Sequence, residues 1–298
     1  MKLKPEPLRR RQFLWGAAAL AVLSGVAGTP KARAAPQGRE EGHSVTKNIV
    51  MVHGASEGGW CFDTFRGPFA ERGWTVHAPD LIGHGSDKEG AKAKLAGIGL
   101  ADYREELLPL LKSFSSPPVL LGHSMGGVLV QQLAAQGLAQ ALVLVNPAPR
   151  AGILPATDTE KDLAQGFMTI PSFWTTVIDP VFDLACIYSM NKVPKDEQRA
   201  LFDKFGPESG LAYYEMFFWM IDKTKAASVD VEAVTCPVLV VAGVDDNLVS
   251  LPTARATALG YPQAAFWEEP GHGHMLPVEP GAERIAARIA DWIPVSTL

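Results

Sequence analysis

The segment at residues 119–127, Val-Leu-Leu-Gly-His-Ser-Met-Gly-Gly, constrains the fold of this chain more than any other. The apolar residues 118–121 predict a buried strand, and residues 128–135 are compatible with a helix. In a Gly-x-Ser-x-Gly turn between a strand and a helix, the serine is strained and exposed, and the small residues beside it let the backbone turn without a clash. Ser124 is therefore the predicted nucleophile, at a helix N-terminus that favours developing negative charge.

Apolar runs alternate with helical patterns along most of the chain. Such continuous apolar strands, alternating with helices, indicate a parallel sheet covered on both faces, so the predicted fold class is α/β. The predicted strands are residues 48–52, 75–79, 118–121, 141–145, 237–242 and 264–267, and the predicted helices are residues 60–72, 100–114, 128–135 and 282–292.

Residues 149–234 interrupt this alternation with many aromatic residues and several prolines. We predict that they form a helical cap, inserted into a core that comprises residues 35–148 and 235–298. Aromatic residues at helical spacing form one face of the cap, which either packs the cap onto the core or lines an apolar substrate pocket. These residues are Tyr213, Tyr214, Phe217 and Phe218. The residues predicted to line the pocket are Trp60, His123, Phe217, Phe218 and Trp219.

A serine nucleophile needs a base, a group that orients the base, and donors for an oxyanion. His274 is the predicted base, because its loop follows the last strand and precedes the terminal helix, at the same sheet edge as Ser124. His272 is the alternative base. A metal pair formed by these two histidines is not favoured, because no carboxylate or cysteine stands at a suggestive spacing.

The orienting acid is Asp245 or Asp246, both of which follow the apolar strand that ends at Gly243. Asp246 is favoured, because a position three residues after the glycine clears the end of the strand and can turn inward. The end of the preceding core strand carries Asn146, which cannot supply the negative charge that stabilises an imidazolium.

Two backbone amides are the predicted oxyanion donors. Met125 follows the nucleophile at the start of a helix, and Ala55 lies in the turn that follows the first strand. The side chains of Met125 and Trp60 are expected to shape the pocket.

The N-terminus has the features of an export signal. Residues 9–14 contain the Arg-Arg-x-Phe-Leu core of a twin-arginine signal, and an uncharged stretch and a small-x-small site at residues 32–34 follow it. The apolar run is short for a membrane span and rich in Ala and Gly. Residues 1–34 are therefore predicted to be a cleaved signal peptide, with a retained anchor as the alternative. The mature protein is expected in the periplasm or outside the cell, with no stable membrane span.

Charge and cysteine content exclude several classes of function. The formal net charge of −5 gives no footprint for nucleic-acid binding. The three cysteines have no metal-site spacing, and Cys61–Cys186 is the one pair considered for a disulfide. Neither a metal nor an organic cofactor is expected, and the expected partner is a small-molecule ester. The sequence does not set the oligomeric state.

With these residues in place, the chain resembles the α/β-hydrolase superfamily, in particular its esterase and lipase branch with a helical cap. The resemblance covers about residues 46–293 and rests on the motifs around His53, Asp80, Ser124, Asp246 and His274. It implies a Ser124–Asp246–His274 triad. The chain departs from the family in having Asn247, where a proline often follows the acid, and in its double aspartate.

A serine at this position implies an acyl-enzyme, and hence hydrolysis of an ester, thioester or lactone. The first hypothesis is a carboxylic ester hydrolase acting on a small to medium apolar substrate. The second is a C–C bond hydrolase or a perhydrolase on the same fold. The third is a ligand-binding, receptor-like protein with slow or no turnover.

Overall fold

A sheet of six parallel strands runs through the computed structural model, which describes residues 47–85 and 88–293. A further pair of two-residue strands lies in the cap and is antiparallel. The strands of the described chain are β1 (Lys47–Val52), β2 (Trp74–His77), β3 (Val119–His123), β4 (Ala141–Val145), β5 (Val177–Ile178), β6 (Glu208–Ser209), β7 (Val238–Gly243) and β8 (Ala265–Glu269). The predicted signal peptide lies outside the described residues.

Helices connect these strands and cover the sheet. The helices of the described chain are α1 (Asp63–Ala70), α2 (Lys88–Leu95), α3 (Leu100–Lys112), α4 (Met125–Ala134), α5 (Asp158–Met168), α6 (Phe182–Tyr188), α7 (Gln198–Phe202), α8 (Gly210–Phe217), α9 (Leu251–Leu259) and α10 (Ala282–Trp292). Helix α2, which is short and charged, and helix α9 were not expected from the sequence.

The sheet has the strand order β2-β1-β3-β4-β7-β8, and alternate residues of each strand face opposite sides. Leu120 and Leu142 pack with helices α3 and α4 on one face, whereas Leu121 and Val143 pack with α1 and α10 on the other. Each interior strand is therefore buried on both faces, which explains its continuous apolar sequence. The predicted α/β-hydrolase architecture, a parallel sheet flanked by helices, is confirmed.

The cap is the chain between β4 and β7, and it contains helices α5 to α8 and strands β5 and β6. The small β5–β6 sheet was not expected from the sequence. Each of three buried glutamates in the cap accepts a hydrogen bond from a backbone N–H of the core, and this satisfies a carboxylate that would be costly to bury alone. The bonds run from Ser250 N to Glu160 (2.8 Å), from Ser56 N to Glu208 (3.1 Å) and from Leu100 N to Glu215 (2.6 Å).

The three cysteines are free thiols, so Cys61 and Cys186 are not bridged. Cys61 is completely buried, and burial raises the pKa of its thiol well above the usual value. Within residues 47–85 and 88–293, no three histidine, cysteine or acidic side chains are grouped as a metal site would need. No helix of these same residues has the length and apolarity to cross a membrane.

Candidate active site

Ser124 occupies the sharp turn between strand β3 and helix α4. Its backbone has φ 47° and ψ −120°, a conformation that costs energy for a residue with a Cβ. Two glycines make the turn possible, because a Cβ at Gly122 would overlap Val130 and a Cβ at Gly126 would overlap the Val52 carbonyl. Ser124 therefore lies at the first turn of α4 and lines a cavity under the cap.

His274 and Asp246 come from loops that follow β8 and β7. The Nδ1 atom of His274 lies 2.8 Å from Oδ2 of Asp246. The other carboxylate oxygen, Oδ1, accepts hydrogen bonds from the backbone N–H groups of Leu248 (2.7 Å) and Val249 (2.8 Å). With both oxygens engaged, the carboxylate holds the imidazole ring in one orientation.

The Nε2 atom of His274 is the free end of this pair. It is buried and has no hydrogen-bond partner among the described residues, while His274 lines the same cavity as Ser124. A base in this position is available for a proton from a serine hydroxyl or from a molecule in the cavity.

The two alternatives considered from the sequence have other partners. Asp245 is paired with Lys192 at the surface, at 2.8 Å. His272 directs its Nδ1 atom at Glu279 Oε2, at 3.2 Å. The structure thus brings Asp246 and His274, rather than their neighbours, into the group with Ser124.

The turn after β1 presents one unoccupied amide to the cavity. The N–H of Gly54 donates to Glu57 (2.9 Å), and that of Ser56 donates to Glu208 (3.1 Å). The N–H of Ala55, between them, has no acceptor among the described residues. Met125 is the first residue of α4, so its N–H has no intrahelical acceptor either. These two amides are free to bind an oxyanion.

Glu57 and His123 form a buried ion pair that connects the loops of the site. Glu57 accepts hydrogen bonds from Gly54 N and from His123 Nδ1 (2.9 Å), and His123 Nε2 donates to the carbonyl of His274 (2.9 Å). Burial by itself would raise the pKa of Glu57, but the neighbouring His123 outweighs it and holds that pKa at about 2. Burial would likewise lower the pKa of His123, and Glu57 raises it instead.

Both nitrogens of His123 face groups that only accept hydrogen bonds, so the ring carries both protons and a positive charge. We call this pair the Glu57–His123 brace. It was not foreseen from the sequence, where the only signal is a lone acidic residue in a glycine-rich turn.

Asn146, at the end of β4, supports the same loop. Its Nδ2 atom donates to the carbonyls of Gly273 (2.7 Å) and His274 (2.9 Å), and its Oδ1 atom accepts from Gly243 N (2.7 Å). Asn146 lacks the charge to act as the acid of the site, but it fixes the loop that carries His274.

The cavity beside Ser124 has a volume of about 450 Å³ and a mostly apolar wall. Three aromatic rings in mutual contact, from Phe167, Tyr213 and Phe217, form one side of it, and Phe217 stacks on the other two. Acidic residues occur on the wall, but no lysine or arginine of the described chain does. A neutral molecule is favoured over an anion in such a space.

Of the five residues predicted to line the pocket, the structure places only Phe217 on this cavity. Trp60 stacks on Phe205, with ring centroids 5.8 Å apart, and His123 belongs to the Glu57–His123 brace. Phe218 packs against Phe173 at 5.5 Å, and Trp219 donates from Nε1 to the Ile153 carbonyl at 3.3 Å. The side chains of Trp60 and Met125 were expected to shape the pocket, but neither residue lines this cavity.

The aromatic face of α8 is divided between two environments. Tyr213 and Phe217 stack on each other and face the cavity, whereas Tyr214 and Phe218 stack on each other against Phe173. The interpretation as pocket lining therefore holds for half of the face, whereas the other half packs within the cap and not onto the core.

A protein-family profile matches most of this chain. The profile of the alpha/beta hydrolase family matches residues 49–288. The chain belongs to the alpha/beta hydrolase family. The matched residues include the cap, the residues of the site and all of the sheet except the first two residues of β1.

Curated relatives of this alpha/beta hydrolase include esterases. The pyrethroid hydrolase of Sphingobium wenxiniae is 34% identical over 87 residues, which are 29% of this chain and 30% of that protein. Methylesterase 9 of Arabidopsis thaliana is 34% identical over 85 residues, 28% of this chain and 32% of that protein. These alignments thus span about a third of each relative's length.

Solved structures share the hydrolase fold over most of the chain. A pyrethroid hydrolase from Sphingobium faniae has a TM-score of 0.63 and 20% identity, over 83% of this chain and 97% of that one. The monoacylglycerol lipase of Paleococcus ferrophilus has a TM-score of 0.62 and 20% identity, over 85% and 96%. At this level of identity the likeness establishes the fold.

Proposed function

We propose that this protein is a serine carboxylic ester hydrolase acting on a neutral, largely apolar ester of small to medium size. The observation that carries the proposal is the His274–Asp246 pair, whose free Nε2 atom shares a cavity with the strained Ser124. The esterase names of the curated relatives support the same reaction class.

Acylation begins when Ser124 Oγ attacks the ester carbonyl carbon and its proton passes to Nε2 of His274. The negative charge on the former carbonyl oxygen is held by the N–H groups of Ala55 and Met125. Asp246 stabilises the imidazolium through Nδ1. The C–O bond to the alcohol then breaks, the alcohol takes the proton from Nε2, and the acyl group stays on Ser124.

Deacylation repeats these steps with water as the nucleophile. His274 Nε2 takes a proton from the water, whose oxygen attacks the acyl carbon, and the same two amides hold the second oxyanion. Collapse returns the proton to Ser124 Oγ and releases the carboxylic acid. The reaction balances as ester plus water giving acid plus alcohol.

The apolar, aromatic wall supports the proposed substrate class. A cavity of about 450 Å³ that no lysine or arginine of the described residues lines favours an uncharged substrate that gains from leaving water. The triad acid and base are supplied by the core, and the contacts that select the substrate come largely from the cap.

Hydrolysis of p-nitrophenyl acetate, butyrate and octanoate tests the proposal. Wild type should show turnover with an optimum of acyl length, and Ser124→Ala should lower kcat by about 10⁴-fold or more. Ser113→Ala, an exposed serine bonded to its own helix, is the matched control and should leave kcat unchanged. Equal rates for wild type and Ser124→Ala, or a folded wild type without turnover, would overturn the proposal.

Export remains a separate proposal, supported by the arginine pair and the small-x-small site in residues 9–34. Replacing Arg9, Arg10 and Arg11 with lysine should retain the protein in the cytoplasm, whereas the exported wild type should begin at Ala35. Fractionation and N-terminal sequencing measure the two outcomes, and export of the lysine variant would contradict the proposal.

A further inference from the structure

Two of the hydroxyl-bearing residues on the cavity wall are hydrogen-bonded to each other. Ser56 directly follows Ala55, the residue of the free cavity amide, and Tyr213 lies opposite it on cap helix α8. Both residues line the cavity, and Ser56 Oγ lies 3.3 Å from Tyr213 Oη. We refer to these two groups as the Ser56–Tyr213 pair.

Ser56 is held in a strained conformation by the cap. Its φ is 64°, in the left-handed region that a serine rarely occupies. Three hydrogen bonds to the cap fix it there: its N–H donates to Glu208, its carbonyl accepts from Gly206 N at 2.9 Å, and its hydroxyl is bonded to Tyr213. Strain maintained by so many contacts is typical of a functional position.

The Ser56–Tyr213 pair has one more O–H donor than its own hydrogen bond uses. Two hydroxyls carry two protons, and their mutual hydrogen bond uses one of them. Neither oxygen has a further partner among the described residues. One O–H therefore has no acceptor among the described residues, although both residues border the cavity. A part-buried donor of this kind gains when a ligand supplies the acceptor.

We propose that the Ser56–Tyr213 pair is a subsite for a neutral oxygen acceptor, an ether or ketone oxygen, located a few bonds from the scissile carbonyl. The short distance follows from the chain, because Ser56 and the oxyanion donor Ala55 are adjacent residues. A carboxylate is disfavoured by charge, since Asp162 lines the cavity and no lysine or arginine of the described residues does. The preferred substrate is thus an oxygen-substituted ester with an otherwise apolar body. This assignment rests on the proposed ester hydrolysis.

Three esters that differ only by replacement of one CH₂ with oxygen test the subsite. Butyl butyrate is the reference, butyl methoxyacetate carries the oxygen in the acyl part, and 2-methoxyethyl butyrate carries it in the alcohol part. The measured quantity is the ratio of kcat/KM for each methoxy ester to that for butyl butyrate, followed by acid release. Comparing this ratio between variants cancels the intrinsic reactivity of each ester.

Tyr213→Phe and Ser56→Gly remove one hydroxyl each, and glycine accepts a φ of 64° without strain. Each variant should lower the ratio for one of the two methoxy esters by about 5- to 10-fold relative to wild type. Tyr214→Phe is the matched control, because Tyr214 is on the same helix, bonds to the Ile221 carbonyl and lies off the cavity wall. It should leave both ratios unchanged.

A binding measurement separates the subsite from the reaction. Calorimetric titration of Ser124→Ala, alone and combined with Tyr213→Phe, with the same esters reports the preference without turnover. If wild type hydrolyses none of the esters but the binding preference is lost with Tyr213→Phe, the proposed reaction fails and the subsite stands. If the ratios and the binding preference are the same with and without the two hydroxyls, the subsite is overturned.

Discussion

The loops at the carboxyl edge of the sheet and the cap that covers them use different interactions for similar ends. In the loops, Asp246, Asn146 and Glu57 each make two or more hydrogen bonds to groups of the candidate site or to the loops that carry it. In the cap, ring packing shapes the wall, and apolar side chains such as Met168 and Leu184 are 59% and 49% exposed. Directional bonds fix atoms within tenths of an ångström, whereas apolar contacts fix mainly a volume.

This difference implies that the two regions respond differently to substitution. A change in the loops should alter the rate for every ester, and a change in the cap should alter the choice between esters. Four measurements can break or sharpen that division.

The largest effect is expected at the acid. Asp246→Asn removes the charge that stabilises the imidazolium and disturbs the ring orientation, so kcat should fall by about 10³- to 10⁴-fold for all acyl lengths. Asp245→Asn is the matched control, since the side chain of that residue pairs with Lys192 at the surface, and its kcat should stay within about twofold. A large fall in both variants would mean that the acid function is shared.

The Glu57–His123 brace should come next. Glu57→Gln leaves a charged imidazole buried without its partner, which should lower the free energy of unfolding by about 3 kcal/mol. Because the brace contacts both the turn after β1, which carries Ala55, and the loop that carries His274, kcat should also fall by about 10- to 100-fold. Urea unfolding and steady-state rates measure the two effects, with the exposed Glu71→Gln as control. Unchanged kcat in a destabilised variant would restrict the brace to stability.

Glu279, which holds the histidine loop through Gly273 N at 2.9 Å, should make stability depend on pH. Burial raises the pKa of this carboxyl from 4.5 to about 7, so the folded state favours its protonated form. The stability it provides below pH 4.5 is lost as the pH rises through 7, by about 2 kcal/mol between pH 5.5 and 8.5.

Glu279→Gln should remove that part of the pH dependence, while the exposed Glu283→Gln should retain it. Urea unfolding at the two pH values measures the difference. If Glu279→Gln shows the same pH dependence as wild type, another group is responsible.

The smallest effect is expected in the cap. Phe217→Ala enlarges the cavity and should shift the acyl-length preference toward octanoate by about 5-fold, roughly 1 kcal/mol, with little change for acetate. Phe218→Ala removes the same volume from the opposite stack, off the cavity, and should leave the preference unchanged. An equal loss of rate on all three p-nitrophenyl esters in Phe217→Ala would contradict the division between loops and cap.

The sequence was sufficient to predict what depends on local chain geometry. The continuous apolar strands determine the sheet, and the Gly-x-Ser-x-Gly motif determines the sharp turn at Ser124. Together they set the loop positions that bring Ser124, Asp246 and His274 to one edge of the sheet. These residues follow strand ends, and parallel strands present their carboxyl ends at one edge.

Features that depend on side-chain packing could not be predicted in the same way. Trp219 was expected on the pocket, but the end of α8 at Phe217 turns it toward Ile153. Glu57 meets His123 across 66 residues, and no local pattern specifies that contact. Helix α9, with a weakly amphipathic sequence of nine residues, gave no periodic signal.

The unbridged cysteines described with the fold have a consequence for how the protein can be made. No disulfide links the three cysteines, so folding requires no oxidant. Cys61 is buried, and its raised thiol pKa keeps it protonated and therefore unreactive. The chain can therefore complete its folding under reducing conditions.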